Sequence, residues 1–175
     1  MRKLKNEELN RLDLETYKRS KKLPVLLVLD NVRSMNNVGS AFRTSDAFAI
    51  ESIALCGITA QPPHREIHKT ALGATDSVDW QYYKTTKEAC ELLKSRGYRI
   101  YTVEQAKGST SLEEFSPKGK LAIVFGNEVF GVDDEIIDMA DGCLEIPQFG
   151  TKHSLNISVS IGVILWDLVS KIKFK

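Results

Sequence analysis

The sequence predicts an α/β fold in which a mostly parallel β-sheet carries helices on both faces. From Pro24 onward, segments of strand type and of helical type alternate along the chain, which is the pattern of parallel sheets built from crossover units. Residues 25–29 and 121–125 are unbroken apolar runs, as expected for strands that are buried on both faces. With 175 residues, 42% of them hydrophobic, the chain can form one domain with a sizeable core.

Each element of this fold is predicted from a local pattern. The predicted strands are short apolar or extended runs: residues 25–29, 52–56, 80–83, 98–103, 121–125 and 143–146. The predicted helices lie between them: residues 38–49, 86–96 and 133–139, followed by a strongly apolar helix that closes the chain. Gly97 is expected to end the second helix. Ser154 is expected to be the N-cap of the last helix, because its hydroxyl can accept a hydrogen bond from the first turn.

Residues 1–22 differ from the rest in charge and are predicted to be a separate basic helical segment before a domain at 23–175. The segment has eight basic and four acidic side chains, a net charge of +4, whereas the whole chain carries only +1. Its apolar residues could form one side of a short helix: Leu4, Leu9, Leu12, Leu14 and Tyr17. Two interpretations stay open: the basic residues contact phosphates, or the helix is a solvated element packed on its own domain or on a second subunit.

Three of the predicted strands lead directly into loops rich in Gly, Asn, Ser, Glu and Arg. These loops begin at residues 30, 126 and 147. In an open α/β sheet, the loops that leave the carboxyl ends of the strands form the ligand site. The sequence therefore predicts one site built by the three loops. Residues 30–35 lack the glycine-rich motif of a dinucleotide-binding fold, and no P-loop occurs, so a nucleotide-like ligand is expected to bind later in the chain.

The residues of these loops fall into three motifs. The motifs are, in order, Asn37-x-Gly39-x-x-x-Arg43, Gly126-Asn127-Glu128-x-x-Gly131, and Ile146-Pro147 together with Ser154-Leu155-Asn156. They resemble the three motifs of the SpoU (TrmH-like) branch of the SPOUT RNA methyltransferases, and the resemblance covers nearly the whole chain from Pro24. It implies an RNA ribose 2′-O-methyltransferase with S-adenosylmethionine as cofactor. It also implies that the final third of the chain is threaded into a trefoil knot.

The resemblance assigns cofactor binding to residues of the knot loops. The matching positions are Val103, Gly126, Ile146, Ser154 and Leu155. Apolar side chains can enclose a flat adenine while nearby backbone N–H and C=O groups bind its edge, and a glycine lets the backbone approach closely. For the three apolar residues, ordinary core packing is the alternative interpretation.

Arg43 is the residue to which the resemblance assigns the chemistry at the ribose 2′-hydroxyl. This hydroxyl is a poor nucleophile until its proton is removed, but a guanidinium group stays protonated in proteins and is an awkward base. We therefore hypothesise that Arg43 binds the adjacent phosphate and stabilises the forming alkoxide, while the proton passes to phosphate or water.

The remaining motif residues are expected to support this chemistry. By resemblance, Asn37, Glu128, Ser154 and Asn156 help to order the loops and to orient Arg43 and the ribose, although such residues also commonly cap helices or satisfy backbone groups. Phe130 and Phe149 lie in the same loops. For both, packing in the core or in a dimer interface is favoured over stacking on RNA bases.

The expected partners are RNA and a second copy of the chain. Family members are homodimers that pair through the knot helices, and the closing helix is apolar around much of its circumference. Many family members carry an extra RNA-binding domain before the first motif, whereas 23 residues precede Pro24 here. We therefore expect target choice to come from the catalytic domain, the basic N-terminal segment and the tail 171–175. A tRNA substrate is favoured over rRNA. The alternatives are a base methyltransferase of another SPOUT branch and an inactive RNA-binding module.

Several other classes of protein are not supported by the sequence. Three widely spaced cysteines, Cys56, Cys90 and Cys143, are expected to be free thiols in a reducing cytoplasm. No apolar run approaches the ~20 residues of a membrane span. His64 and His68 are four residues apart, but no third ligand is evident, so no metal site is predicted.

Overall fold

The computed structural model describes residues 1–174, and Lys175, the last residue of the basic tail, lies outside the described residues. Seven strands form one sheet: β1 Leu23–Asp30, β2 Ile50–Cys56, β3 Asp79–Tyr83, β4 Tyr98–Val103, β5 Thr110–Ser111, β6 Lys120–Phe125 and β7 Gly142–Glu145. Their order is β3-β2-β1-β6-β4-β7-β5, and each neighbouring pair is parallel. The prediction of a mostly parallel sheet is confirmed.

The helices comprise a short 3-10 turn, Asn6–Leu9, and seven α-helices. These are α1 Leu14–Arg19, α2 Met35–Ala47, α3 Arg65–Ala71, α4 Ala74–Ser77, α5 Thr86–Ser95, α6 Asp134–Met139 and α7 Ile157–Lys173. The sequence analysis did not predict α3, α4 or β5. Helix α4 and strand β5 are too short to show a periodic pattern. His64 is the N-cap of α3, its Nδ1 accepting a hydrogen bond from Glu66 N at 3.2 Å.

The two faces of the sheet bury separate clusters of apolar side chains. Along β1, Leu27 and Leu29 pack with residues of α2, α3 and α7, whereas Leu26 and Val28 pack with residues of α5 and α6. This alternation follows from the two-residue period of a strand. Because both faces are covered, β1 and β6 are almost wholly apolar, and the prediction of helices on both faces is confirmed.

The carboxyl ends of the central strands lie side by side. Leu29 of β1 is in register with Phe125 of β6, and Phe125 is in turn in register with Val103 of β4. Val103 is also in register with Leu144 of β7. The loops that follow these strands therefore begin at the same edge of the sheet, which brings distant parts of the sequence together.

The last helix begins two residues later than the predicted cap. Asn156, not Ser154, is the N-cap of α7, and its Oδ1 accepts a hydrogen bond from Ser158 N at 2.8 Å. Both residue types can cap a helix, but Asn156 directly precedes the first buried residue of α7, Ile157, whereas Ser154 stays in the exposed loop. The predicted cap at Ser154 is wrong.

Helix α7 is apolar on two sides, as its sequence suggested. One side is buried in the core through Ile161, Ile164 and Leu168. The exposed apolar side chains of the other side follow helical spacing: Val159, Val163 and Trp166. We refer to these three residues as the α7 stripe.

The N-terminal segment does not form one helix with an apolar side. It contains the 3-10 turn and α1, and its four leucines are all exposed: Leu4, Leu9, Leu12 and Leu14. Its anchor is Tyr17, whose hydroxyl donates to the carbonyl of Asp46 at 2.9 Å. The predicted apolar side is wrong, because leucines on two short separate turns do not share one face.

The cysteines are free, and burial raises the pKa of Cys56 and of Cys90 to about 12. No helix among the described residues has the length and apolar character needed to cross a bilayer. Within residues 1–174, no three His, Cys, Asp or Glu side chains are grouped as metal ligands would be. The trefoil knot stays a prediction.

Candidate active site

A cavity of about 590 Å³ opens at the carboxyl ends of β4, β6 and β7. All five residues that were predicted to hold a cofactor line it: Val103, Gly126, Ile146, Ser154 and Leu155. Two predicted catalytic residues, Glu128 and Asn156, also line it. Strand order explains this grouping, since the residues come from three loops that leave neighbouring strands.

One wall of the cavity is apolar. Val103 and Ile146 are half-buried and pack against the core, yet both also border the cavity. Leu155 is 40% exposed and belongs to neither buried apolar cluster. Core packing therefore accounts for part of the burial of Val103 and Ile146, but it does not account for Leu155.

Gly126 is required by the shape of its own loop. A Cβ at this position would lie 2.1 Å from the carbonyl carbon of Gly131 and 2.2 Å from Val132 N. The close approach lets Asn127 and Gly131 exchange two backbone hydrogen bonds of 2.9 Å. Gly126 was expected to let a ligand approach the backbone closely. The structure shows that it also lets the backbone of Gly131 and Val132, in the same loop, approach closely.

Glu128 connects this loop to the start of α2. Its Oε2 accepts a hydrogen bond from Arg33 N at 2.9 Å, and its Oε1 accepts from Ser34 N and from Asn37 Nδ2, both at 3.0 Å. Partial desolvation acts to raise the pKa of Glu128, but the three hydrogen bonds outweigh it, so the pKa lies below its ordinary value. The carboxylate is therefore charged at neutral pH.

Asn37 extends the same network to the third loop. While its Nδ2 donates to Glu128, its Oδ1 accepts from Asn156 Nδ2 at 3.3 Å. The side chains Glu128, Asn37 and Asn156 thus link the loops after β6, β1 and β7. We refer to these three residues as the loop network. Asn156 caps α7 at the same time, so the capping and site-building interpretations both hold for it.

Gly39, in the first motif, fixes the packing of α2 on α3. A Cβ here would lie 2.1 Å from Thr70 Oγ1 and 2.3 Å from the carbonyl oxygen of Ile67. The hydroxyl of Thr70 also donates to the carbonyl of Asn36 at 3.0 Å. This glycine therefore serves helix packing rather than ligand contact.

Arg43 is not brought to the cavity by its own chain. It is exposed on α2 and is not among the residues that line the cavity. Six residues separate it from Asn37, which corresponds to about 9 Å along the helix and about 120° around it. Within residues 1–174 its guanidinium takes part in no ion pair and no hydrogen bond. Of the other predicted catalytic residues, Glu128, Ser154 and Asn156 line the cavity. Asn37 does not line it but is hydrogen-bonded to two residues that do, whereas Arg43 has neither connection.

Sequence reasoning missed the polar side of the cavity next to β4. Glu104 Oε1 accepts from Gln105 N at 2.9 Å, and its Oε2 accepts from Val132 N at 3.3 Å. Gln105 Nε2 donates to the carbonyl of His153 at 2.6 Å. Glu104 and Gln105 directly follow a strand, so the rule that led to the other loops could have identified them.

Phe130 and Phe149 are not packed in the core. Phe130 is 85% exposed and Phe149 is 98% exposed. Of the two expected environments, core packing is wrong for both residues, because loops at the edge of the sheet leave them exposed. Packing in a dimer interface stays a prediction.

Comparison with known proteins agrees with this geometry. The model of the SpoU rRNA Methylase family matches residues 24–166. A tRNA (guanosine(18)-2′-O)-methyltransferase of Thermus thermophilus is 29% identical over 160 residues, which are 91% of this chain and 81% of the relative. The crystal structure of the A. aeolicus TrmH/SpoU tRNA modifying enzyme superposes with a TM-score of 0.80 at 25% identity, covering 90% of this chain and 81% of that one.

A second solved structure shares the fold. The AdoMet-bound rRNA methyltransferase from Sinorhizobium meliloti superposes with a TM-score of 0.81 at 23% identity, covering 91% of this chain and 61% of that one. The chain thus spans less than two thirds of that protein. The likeness extends over almost all of the present sheet and helices.

Proposed function

The chain belongs to the SpoU rRNA Methylase family, and from this membership we propose that it transfers a methyl group from S-adenosylmethionine to a ribose 2′-hydroxyl of RNA. One observation carries the proposal. The loop network joins all three motif loops beside a cavity that is lined by each of the five predicted cofactor residues. An inactive module would have no need to keep these side chains in contact.

The cavity fits the proposed cofactor in size and in chemistry. Its volume of about 590 Å³ lies within the range of roughly 300–1,000 Å³ that is typical of small-molecule sites. Val103, Ile146 and Leu155 provide apolar surface for an adenine, and the carboxylates of Glu104 and Glu128 suit a ligand that carries positive charge. S-adenosylmethionine, when bound, supplies a methyl group on a positively charged sulfur.

Arg43 is proposed to act on the RNA. Its guanidinium keeps its charge and presents a planar set of donors that matches a phosphate. By binding the phosphate next to the target ribose, it would fix the 2′-hydroxyl and stabilise negative charge on that oxygen as the proton leaves. Asn37 and Asn156 would hold the adjoining loops in place during this step.

A second copy of the chain is proposed to complete the site. The three side chains of the α7 stripe are 38% to 55% exposed, and apolar side chains in a row are typical of subunit interfaces. In a two-fold dimer the same surface is used by both subunits. Such a dimer covers the stripe and can carry Arg43 of one subunit to the cavity of the other.

A tRNA is proposed as the substrate. The Thermus thermophilus relative is named for guanosine 18 of tRNA, and the exposed basic residues of the N-terminal segment are available for phosphates. An rRNA is the second candidate, because the Sinorhizobium meliloti structure that shares the fold is an rRNA methyltransferase. We propose the cytoplasm as the location, since all three thiols are free.

The test is methyl transfer to defined RNA. The purified protein is incubated with labelled S-adenosylmethionine and unmodified tRNA, the RNA is digested, and the labelled nucleoside is identified. We expect a 2′-O-methylnucleoside. Label on rRNA alone would keep the reaction and change the substrate, and label on a base would contradict the ribose assignment. No label on either RNA, with no cofactor binding by calorimetry, would overturn the proposal.

A further inference from the structure

Two phenylalanines are exposed in the loops that form the cavity. Phe130 borders the cavity and is 85% exposed. Phe149 follows Gln148, another residue of the cavity wall, and is 98% exposed. Large aromatic side chains are usually buried, so two that are this exposed, one on the cavity wall and one next to a wall residue in the chain, indicate a surface that meets a partner.

Basic side chains accompany both phenylalanines. Arg33 is exposed, and its backbone N–H is bound by Glu128, two residues before Phe130. Lys152 is exposed in the same loop as Phe149. Neither basic side chain forms an ion pair with another of the described residues. Isolated aromatics beside free cations are the usual composition of surfaces that bind single-stranded nucleic acid.

This composition differs from that of the α7 stripe. The stripe is a row of apolar side chains on one helix, and such a row suits a second protein surface. Phe130 and Phe149 instead lie in loops. Phe149 stands between Gln148 and Gly150, and Phe130 has one exposed apolar neighbour, Val129. The face of a ring in such a position can stack on a flat partner, and every RNA base provides one.

We propose that Phe130 and Phe149 stack on unpaired bases that flank the target ribose, while Arg33 and Lys152 contact the adjacent phosphates. The substrate is then a single-stranded loop, because the bases of a duplex are stacked on one another and not available to side chains. This inference rests on the proposed function, since it takes the cavity to be the place of methyl transfer to RNA. It assigns recognition of RNA to two residues of this chain that lie between the motif positions.

The test measures RNA binding separately from the reaction. Affinity for unmodified tRNA and for a fully paired RNA duplex is measured for wild type, Phe130→Ala, Phe149→Ala, and the matching Leu and Trp variants. Loss of one stacked base lowers affinity by roughly 5- to 100-fold. We expect losses of this size for Ala and Leu with tRNA, retention for Trp, and no change with the duplex. Tyr82→Ala is the matched control, because Tyr82 is an exposed aromatic on the opposite edge strand β3.

Three results would overturn the inference. Unchanged tRNA affinity in both Ala variants would exclude stacking, and full retention in the Leu variants would show that apolar area rather than an aromatic face is needed. Conversion of a dimer to a monomer by Phe149→Ala, seen by light scattering, would assign the residue to a subunit interface. Failure of the proposed function is distinguishable: wild type would bind tRNA with the expected dependence on the two phenylalanines but would methylate no RNA.

Discussion

The loop network and the exposed side of α2 contrast sharply, although both belong to the first motif. Asn37, at the start of α2, is held by Glu128 on one side and by Asn156 on the other. Arg43, less than two turns further along the same helix, is exposed and does not contribute to the cavity wall. The chain itself provides the hydrogen-bond partners of Asn37, but the described residues provide none for the guanidinium of Arg43.

The difference separates two kinds of functional residue. Side chains that shape a pocket must be fixed before a ligand arrives, so their hydrogen bonds are made by the chain itself. A side chain that acts on a substrate needs free donors, and Arg43 retains all of its donors. Variants of pocket-forming residues and of Arg43 should therefore lose different properties, and the largest effect is expected at Arg43.

Replacing Arg43 by Ala should strongly reduce catalysis without harming the pocket. We expect kcat to fall by roughly 10²- to 10³-fold, as when a group that stabilises developing charge is removed, while the free energy of unfolding changes by no more than about 0.5 kcal/mol. Arg43→Lys should lose most of the activity too, because it lacks the planar pair of donors. Single-turnover kinetics measures the loss of catalysis, and urea denaturation measures the free energy of unfolding. Calorimetry with S-adenosylmethionine shows whether the pocket still binds the cofactor. A loss of cofactor binding in Arg43→Ala would show that Arg43 shapes the pocket, as the loop network does, and would contradict its assignment to the substrate alone.

Replacing Gly39 by Ala should destabilise the fold, since the new Cβ would meet Thr70 Oγ1 at 2.1 Å and the Ile67 carbonyl at 2.3 Å. Overpacking of this kind costs about 1–3 kcal/mol, which urea denaturation would measure. Adding Thr70→Ala should recover only part of the loss, because the carbonyl remains. Ser40→Ala, one residue further on α2, is the control and should stay near wild type. Full recovery in the double variant would mean that the backbone contact is unimportant.

Replacing Glu128 by Gln should weaken the loop network by about 1 kcal/mol, because a hydrogen bond to a charged group contributes roughly 1.5–3 kcal/mol and solvent exposure of Glu128 reduces that value. The pKa of Glu128 is lowered below its ordinary value of 4.5. Its stabilising effect is therefore fully present above that value and is lost as the pH falls through the lowered pKa. Thermal melts from pH 7 to pH 3 should show the difference between wild type and variant shrinking at the acid end. A difference that stays constant with pH would contradict the charged network.

The smallest expected effect separates the two candidate caps of α7. Asn156→Ala removes the acceptor for Ser158 N and the link to Asn37, which should cost about 1 kcal/mol. Ser154→Ala should change the free energy of unfolding by less than about 0.5 kcal/mol, because Ser154 is an exposed loop residue. Equal losses in the two variants would show that the loop before α7 is stabilised in some other manner.

Much of the fold was predictable because it depends on local pattern. The buried strands β1 and β6 contain unbroken apolar runs, and the positions where these runs end are enough to locate the loops of the site. Short elements such as α4 and β5 were not predictable, because two to four residues carry no period. The cap of α7 was misplaced for a related reason, since Ser154 and Asn156 are both good caps and only the packing of Ile157 decides between them.

The site was predictable as a set of loops but not as a set of contacts. The sequence does not show that Asn37 bridges Glu128 and Asn156 through its side chain, or that Gly126 also allows the close approach of Gly131 and Val132 in its own loop. The exposure of Phe130 and Phe149 was not predictable from the sequence either. Both have side chains typical of core residues, and only the edge position of their loops leaves them in solvent.

The most direct test of a site shared between two chains is to mix two inactive variants. Arg43→Ala keeps a sound cavity, whereas Leu155→Lys removes part of the apolar wall and adds a positive charge that repels the cofactor. If each site takes its cavity from one subunit and Arg43 from the other, mixing and exchanging equal amounts should restore roughly a quarter of the wild-type sites, because half of the dimers are mixed and each has one intact site. Activity that does not rise above that of the separate variants would contradict the account.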